Sequence, residues 1–106
     1  MNWQTIYDSF KENPRDIRTT PKGNRQPRWF FVYSENGNVY IDNAREHNYS
    51  SKIKQRRKLD KDNFEKMIVL YDKRNHGVPV SEKACAITFN QAYWFGILCD
   101  LLKLNY

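Results

Sequence analysis

The stretch from Arg28 to Asn43 restricts the fold more than any other part of the chain. Arg28-Trp29-Phe30-Phe31-Val32-Tyr33-Ser34 is dominated by aromatic and β-branched residues, the types that fit a pleated, half-buried surface. Glu35-Asn36-Gly37-Asn38 follows, and Asn-Gly accepts the two positive φ angles of a type I′ turn. Val39-Tyr40-Ile41-Asp42-Asn43 then alternates as a return strand. The sequence therefore predicts an antiparallel hairpin over 28–43. Successive strand residues point to opposite faces, so Trp29, Phe30, Phe31 and Tyr33 place aromatic rings on both.

Helices are expected on either side of this hairpin. Trp3, Ile6, Tyr7 and Phe10 fall at i, i+3, i+4 and i+7, which predicts an amphipathic helix over 2–12, ended by Asn13-Pro14. Phe64, Met67, Ile68 and Tyr71 repeat that spacing. They predict a second helix that Asp60 caps, that runs to about His76, and that Gly77 terminates. Ser81 starts a short helical turn. Thr88-Phe89-Asn90-Gln91 fits a capping box for a mostly apolar helix reaching about Lys103. The expected fold class is α+β: an N-terminal helix, a two- or three-stranded antiparallel sheet and two C-terminal helices packed on it. At 106 residues the chain is the size of a single domain, 1–106. Within it, residues 14–27, with three prolines, read as a flexible basic arm or loop.

Charge is the second constraint. The chain carries +6, with an isoelectric point near 9.4, and the excess is localised. Residues 11–28 hold six Lys/Arg against two acids, and 45–62 hold seven against three, while 77–106 hold two of each. Such an excess attracts phosphate backbones and says little about fold. Lys52, Lys54, Arg56, Arg57 and Lys58 put five cations in seven residues. On an extended edge strand Lys52, Lys54, Arg56 and Lys58 would share one face, spaced about 6–7 Å apart, like successive phosphates of one nucleic-acid strand. As an extended loop, the same residues are a solvated charged segment. Arg25, Arg28, Lys73 and Arg74 are expected to assist. Arg15, Arg18, Lys22, Arg25 and Arg28 read as an arm along a phosphate backbone or as a solvated linker.

Three further features bear on function. The segment from Val80 to Leu98 faintly resembles a helix-turn-helix, which would give Asn90, Gln91 and Tyr93 base-reading positions. Its plainer reading, and the expected one, is a well-capped core helix. His47 and Tyr49 beside the basic segment suit a metal-independent ribonuclease, with His as general base and Arg as phosphate clamp. His76 simply suits a helix C-terminus. The aromatic surplus suits base stacking or a protein-binding patch, although helices on both faces of the sheet would bury it without any ligand. That burial is the expected arrangement.

Other classes fit less well. Cys85 and Cys99 form no zinc spacing and no disulfide framework, and are expected to be buried as small hydrophobes. No apolar run approaches the roughly 18 residues of a membrane helix, and the start lacks signal-peptide character. No cofactor, metal site or catalytic set is expected. The overall expectation is a cytoplasmic, non-enzymatic nucleic-acid-binding protein, DNA or RNA, of the character of a bacterial or phage accessory protein. The alternative is a protein-interaction module, an inhibitor or adaptor, and a nuclease is the less favoured third.

Overall fold

Asn36 and Gly37 adopt φ of 51° and 83°, so the turn has the left-handed backbone its residue types favour. It joins two strands, Trp29–Glu35 and Asn38–Asn43, with Tyr33 opposite Tyr40 and Val32 opposite Ile41. The computed structural model describes residues 1–48 and 52–102. In chain order its elements are α1 (Trp3–Glu12), β1 (Arg15–Arg18), β2 (Trp29–Glu35), β3 (Asn38–Asn43), β4 (Arg57–Lys58), α2 (Phe64–Asn75), α3 (Ser81–Ile87) and α4 (Gln91–Leu102). The four strands form one antiparallel sheet in the order β1-β2-β3-β4. The class is α+β, as expected, with one strand more than the expected two or three and three helices after the sheet.

The additional strand comes from the supposed arm. Arg15–Arg18 pairs with Arg18 opposite Trp29 and Ile17 opposite Phe30. Ile17 is its one apolar residue, so no alternation marks it in the sequence. It forms because β2 offers a free edge and Ile17 fits the core beside Phe30. The rest of the arm is tied down too. Thr19 N–H donates to the Arg28 carbonyl, and Arg28 N–H donates to Thr19 Oγ1, both at 2.9 Å.

At the other edge β4 holds only Arg57 and Lys58, and residues 52–56 are not strand. The expected row of four cations along one strand face is therefore absent. Like charges packed along an extended strand repel, and this segment meets β3 for two residues only.

The helices pack on the sheet face formed by Ile17, Phe30, Val32, Val39 and Ile41. Asn2 caps α1, its side-chain oxygen accepting Thr5 N–H at 3.0 Å, and the helix buries Ile6 and Phe10. Trp94 of α4 is fully buried between Trp3 and Phe64. Burying a side chain of this kind contributes roughly 1.5–3 kcal/mol.

Asp60 does not cap α2 directly. A 3-10 turn, Lys61–Asn63, intervenes. The carboxylate turns inward, accepting Trp94 Nε1–H at 2.9 Å, Asn90 Nδ2–H at 3.0 Å and Asn63 Nδ2–H at 2.6 Å. Here Leu70 joins Phe64, Met67 and Tyr71 in the core, while Ile68 is only half-buried. Gly77 ends the helix at φ 81°, as its position predicts. Helix α4 begins at Gln91 rather than at the capping box, because Thr88 Oγ1 accepts Asn90 N–H in a local turn instead. Lys103, its expected end, lies outside the described residues. Cys85 is exposed and Cys99 half-buried, rather than both buried.

Gly96 brings α4 close to β1. A Cβ there would lie 2.7 Å from the Arg18 carbonyl oxygen and 3.2 Å from the Phe30 ring. Backbone cannot yield as a flexible side-chain tip does. Gly96→Ala is expected to destabilise by about 1–2 kcal/mol, overpacking outweighing the gain in helix propensity. Urea unfolding checks this, and an unchanged or raised midpoint would contradict the close approach.

Candidate nucleic-acid interface

Strand register sorts the sheet residues by face. Asp16, Arg18, Trp29, Phe31, Tyr33, Glu35, Tyr40, Asp42 and Lys58 lie on the face opposite the helices. Helices on both faces are therefore not the solution the chain adopts for its aromatic surplus. A different device covers these rings.

Each of three rings carries a flat cationic or ionisable side chain. His47 lies on Trp29 with ring centroids 3.6 Å apart and planes within 8°. The Arg45 guanidinium sits 4.0 Å from the centre of Phe31. The Arg56 guanidinium sits 3.9 Å from the centre of Tyr40, which itself stacks on Tyr33. Arg56 also donates to the Tyr33 hydroxyl at 3.0 Å and to Glu35 at 3.1 Å. Cation–π attraction of about 0.5–1 kcal/mol at exposed sites favours the two arginine arrangements. Phe31 is 7% exposed although it lies outside the main core, because Arg45 and its strand neighbours cover it.

Asp16 holds this covering segment in place. From β1 its carboxylate accepts the backbone N–H groups of Arg45, Glu46 and His47 at 2.8–2.9 Å, and His47 Nδ1 lies 2.9 Å from Oδ2. Residues 45–47 thus cross from the end of β3 over β2 to β1. Burial pushes the Asp16 carboxyl up, and the hydrogen bonds from Arg45, His47 and Glu46 together outweigh it, leaving the group below the ordinary carboxylate value. The pairing fixes the His47 ring and leaves its side chain 42% exposed.

The nine residues expected to contact a polyanion separate in space. Lys52, Lys54 and Lys58 are exposed, with Lys58 on the open face opposite Tyr40. Arg56 is the cap on Tyr40. Arg57 points the other way, 5.6 Å from the Tyr93 ring centre and 3.5 Å from Asn90 Oδ1. Arg25 and Arg28 are exposed on the loop after β1. Arg25 lines a cleft of about 950 Å³ that also takes in Arg18, Lys22 and Trp29. The loop cations therefore border the same tryptophan that carries His47. Lys73 is exposed on α2. Arg74 is buried, donating to Thr20 Oγ1 at 3.0 Å and to the Thr20 carbonyl, and lying over Phe95. Its place is in the fold, pinning the loop to α2.

The other sequence signals resolve differently. Asn90 is buried against Asp60, and Tyr93 packs edge-on against Phe30 at 4.9 Å. Two of the three base-reading positions of a helix-turn-helix, Asn90 and Tyr93, are thus turned toward the core, while the Gln91 side-chain amide lies against Cys85 Sγ at the surface. His76 Nδ1 lies 2.8 Å from the Asp72 carbonyl at the end of α2. Tyr49, paired with His47 in the ribonuclease reading, lies outside the described residues. Among the described residues no cluster of three or more His, Cys, Asp or Glu is placed to hold a metal ion, and no helix is long and apolar enough to cross a membrane. Phe31 and Tyr40 belong to the aromatic surplus that the sequence offers for base stacking, whereas Arg45 and Asp16 are not singled out by sequence. The period-2 run Trp29, Phe31, Tyr33 was the signal that pointed toward the rings. No family model, curated protein or solved structure matches the chain, so function rests on this geometry.

Proposed function

We propose that this protein is a cytoplasmic, non-enzymatic nucleic-acid-binding protein that receives its ligand on the open face of the sheet. One observation carries the reading: His47 is stacked on Trp29, and the Arg45 and Arg56 guanidinium groups sit over Phe31 and Tyr40, on the face away from the helices. Held this way, the guanidinium groups have already lost much of the rotamer freedom that binding would cost. Lys58 and Arg18 share that face, with exposed Lys54 and Lys52 preceding β4 and Arg25 and Arg28 on the loop beside Trp29. Exposed cations such as these gain from a polyanion by releasing its condensed counterions.

Salt dependence tests the reading. Binding to duplex DNA, single strands and RNA, measured at two salt concentrations, is expected to weaken steeply as salt rises. Lys54→Ala, Lys58→Ala and Arg28→Ala should each flatten the log–log slope by about 0.7–0.9. Absence of binding to all three at about 50 mM salt overturns the proposal.

A second reading, a protein-interaction module, is favoured by a different surface. Phe89 is 93% exposed, and a shallow apolar groove nearby in sequence is lined by Val69, Leu70, Ala86 and Ile87 of α2 and α3. Exposed aromatics of this kind anchor protein interfaces.

A further inference from the structure

We infer that the nucleic acid bound on the open face is single-stranded, with unpaired bases laid on the three flat caps. The inference rests on the nucleic-acid reading above and names its substrate class.

The capped rings define what can lie on them. An imidazole or guanidinium pressed against a ring below offers its second face outward. The side chains of His47 and Arg56 are 42% and 43% exposed, and Arg45 is exposed as well. A nucleobase stacks on such planes as it does on aromatic rings. Bases in a duplex already stack on one another and present only their edges, so a duplex gains nothing from an outward-facing plane.

Spacing agrees with this. Of the capped rings, Trp29 and Phe31 alternate along β2, where an extended strand places such residues about 6.6–7 Å apart, and Tyr40 continues the row from β3, stacked on Tyr33. Bases in a duplex repeat at about 3.4 Å, whereas an extended single strand spreads its nucleotides to about twice that. One nucleotide per capped ring follows, giving a footprint of about three, with phosphates toward the surrounding lysines and arginines.

The acids on this face do not compete for the ligand. Glu35 receives Arg56, Asp16 receives three backbone N–H groups, and the Asp42 carboxylate accepts Asn43 N–H at 2.8 Å. Each is committed to holding the site in shape. The exposed planes are cationic or ionisable, and Glu46 is the exposed acid of the covering segment.

The test compares dT12, rU12 and a duplex of the same length by fluorescence anisotropy at one salt concentration. The single strands are expected to bind at least about 10-fold tighter than the duplex. Tighter binding of rU12 than dT12, or the reverse, supports the inference equally and identifies the preferred sugar. The variant Arg45→Lys/Arg56→Lys keeps both charges and removes both planes. It should weaken single-strand binding by at least about 30-fold, at one lost stack per arginine, while leaving the salt slope and duplex affinity unchanged. Equal or tighter binding of the duplex by the unaltered protein overturns the single-strand inference and leaves nucleic-acid binding standing. Failure to bind any of the three at about 50 mM salt overturns both. The wild-type comparison needs no variant, so a folding defect in the double substitution cannot mask the answer.

Discussion

Asp60→Ala is expected to lower the stability of this domain by about 3–5 kcal/mol, a large part of what a chain of this size possesses. The carboxylate is the shared acceptor for Trp94 Nε1–H, Asn90 Nδ2–H and Asn63 Nδ2–H. Trp94 is fully buried and Asn90 nearly so, so removing the acceptor strands two interior donors. Each costs about 1–3 kcal/mol when left unmade. Asp60→Asn should fall between, since one amide oxygen still accepts while its NH2 group faces other donors. Urea unfolding followed by circular dichroism reads both. A loss below about 1 kcal/mol for the alanine variant would show that water replaces the carboxylate without penalty.

The same carboxylate sets acid sensitivity. Burial raises its pKa, but hydrogen bonds from Asn63, Asn90, Thr88 and Trp94 together hold it below the ordinary value. A group depressed in the folded state adds stability that is fully present above its unfolded pKa, near 3.9. That contribution is lost as pH falls through the lower folded value. Asp16 behaves alike. The domain should therefore hold its stability from neutrality down to about pH 4–5 and lose it below. Asp60→Ala, already lacking one of these groups, should show a shallower acid decline.

Asp16→Ala is the second large effect, and it links fold to site. Its carboxylate, with a side chain 2% exposed, is the acceptor for three consecutive backbone N–H groups. Hydrogen bonds to a charged group contribute about 1.5–3 kcal/mol each but are not additive, so a loss of about 2–4 kcal/mol is expected. Part of it is local, because residues 45–47 can lift from the sheet without global unfolding. Amide hydrogen exchange at Arg45, Glu46 and His47 should accelerate more than exchange in β2 and β3. Unaltered exchange at those three amides would show that ring stacking alone holds the segment.

Much of this architecture was legible in the chain. Asn36-Gly37 between two alternating runs specified the hairpin because few other residues accept two positive φ angles in succession. Trp3, Ile6 and Phe10 specified α1 through their spacing. Strand β1 was not legible, since Arg-Asp-Ile-Arg carries one apolar residue and forms only when β2 presents its edge. Asp60 and Arg74 were misplaced for a common reason. A charged side chain before or near the end of a helix reads as a cap or a surface cation, and only tertiary packing reveals a buried Trp94 Nε1–H or a Thr20 carbonyl awaiting it. The basic segment was visible as charge but not as geometry. Five cations in seven residues gave no sign that Arg56 would fold back onto Tyr40 while Arg57 pointed toward Tyr93, nor that Arg45 and His47, a few residues upstream, would cap the other rings.

The central claim is that nucleic acid lies on the open sheet face, and mapping contact by amide chemical shift tests it most directly. In a proton–nitrogen spectrum titrated with dT12, shifts are expected at Arg18, Trp29, Phe31, Tyr33, Tyr40, Arg45–His47 and Arg56–Lys58. Exposed positions on α2 and α3, such as Val69, Lys83 and Cys85, should remain still. Shifts confined to α2 and α3, or none at saturating oligonucleotide, would contradict the account.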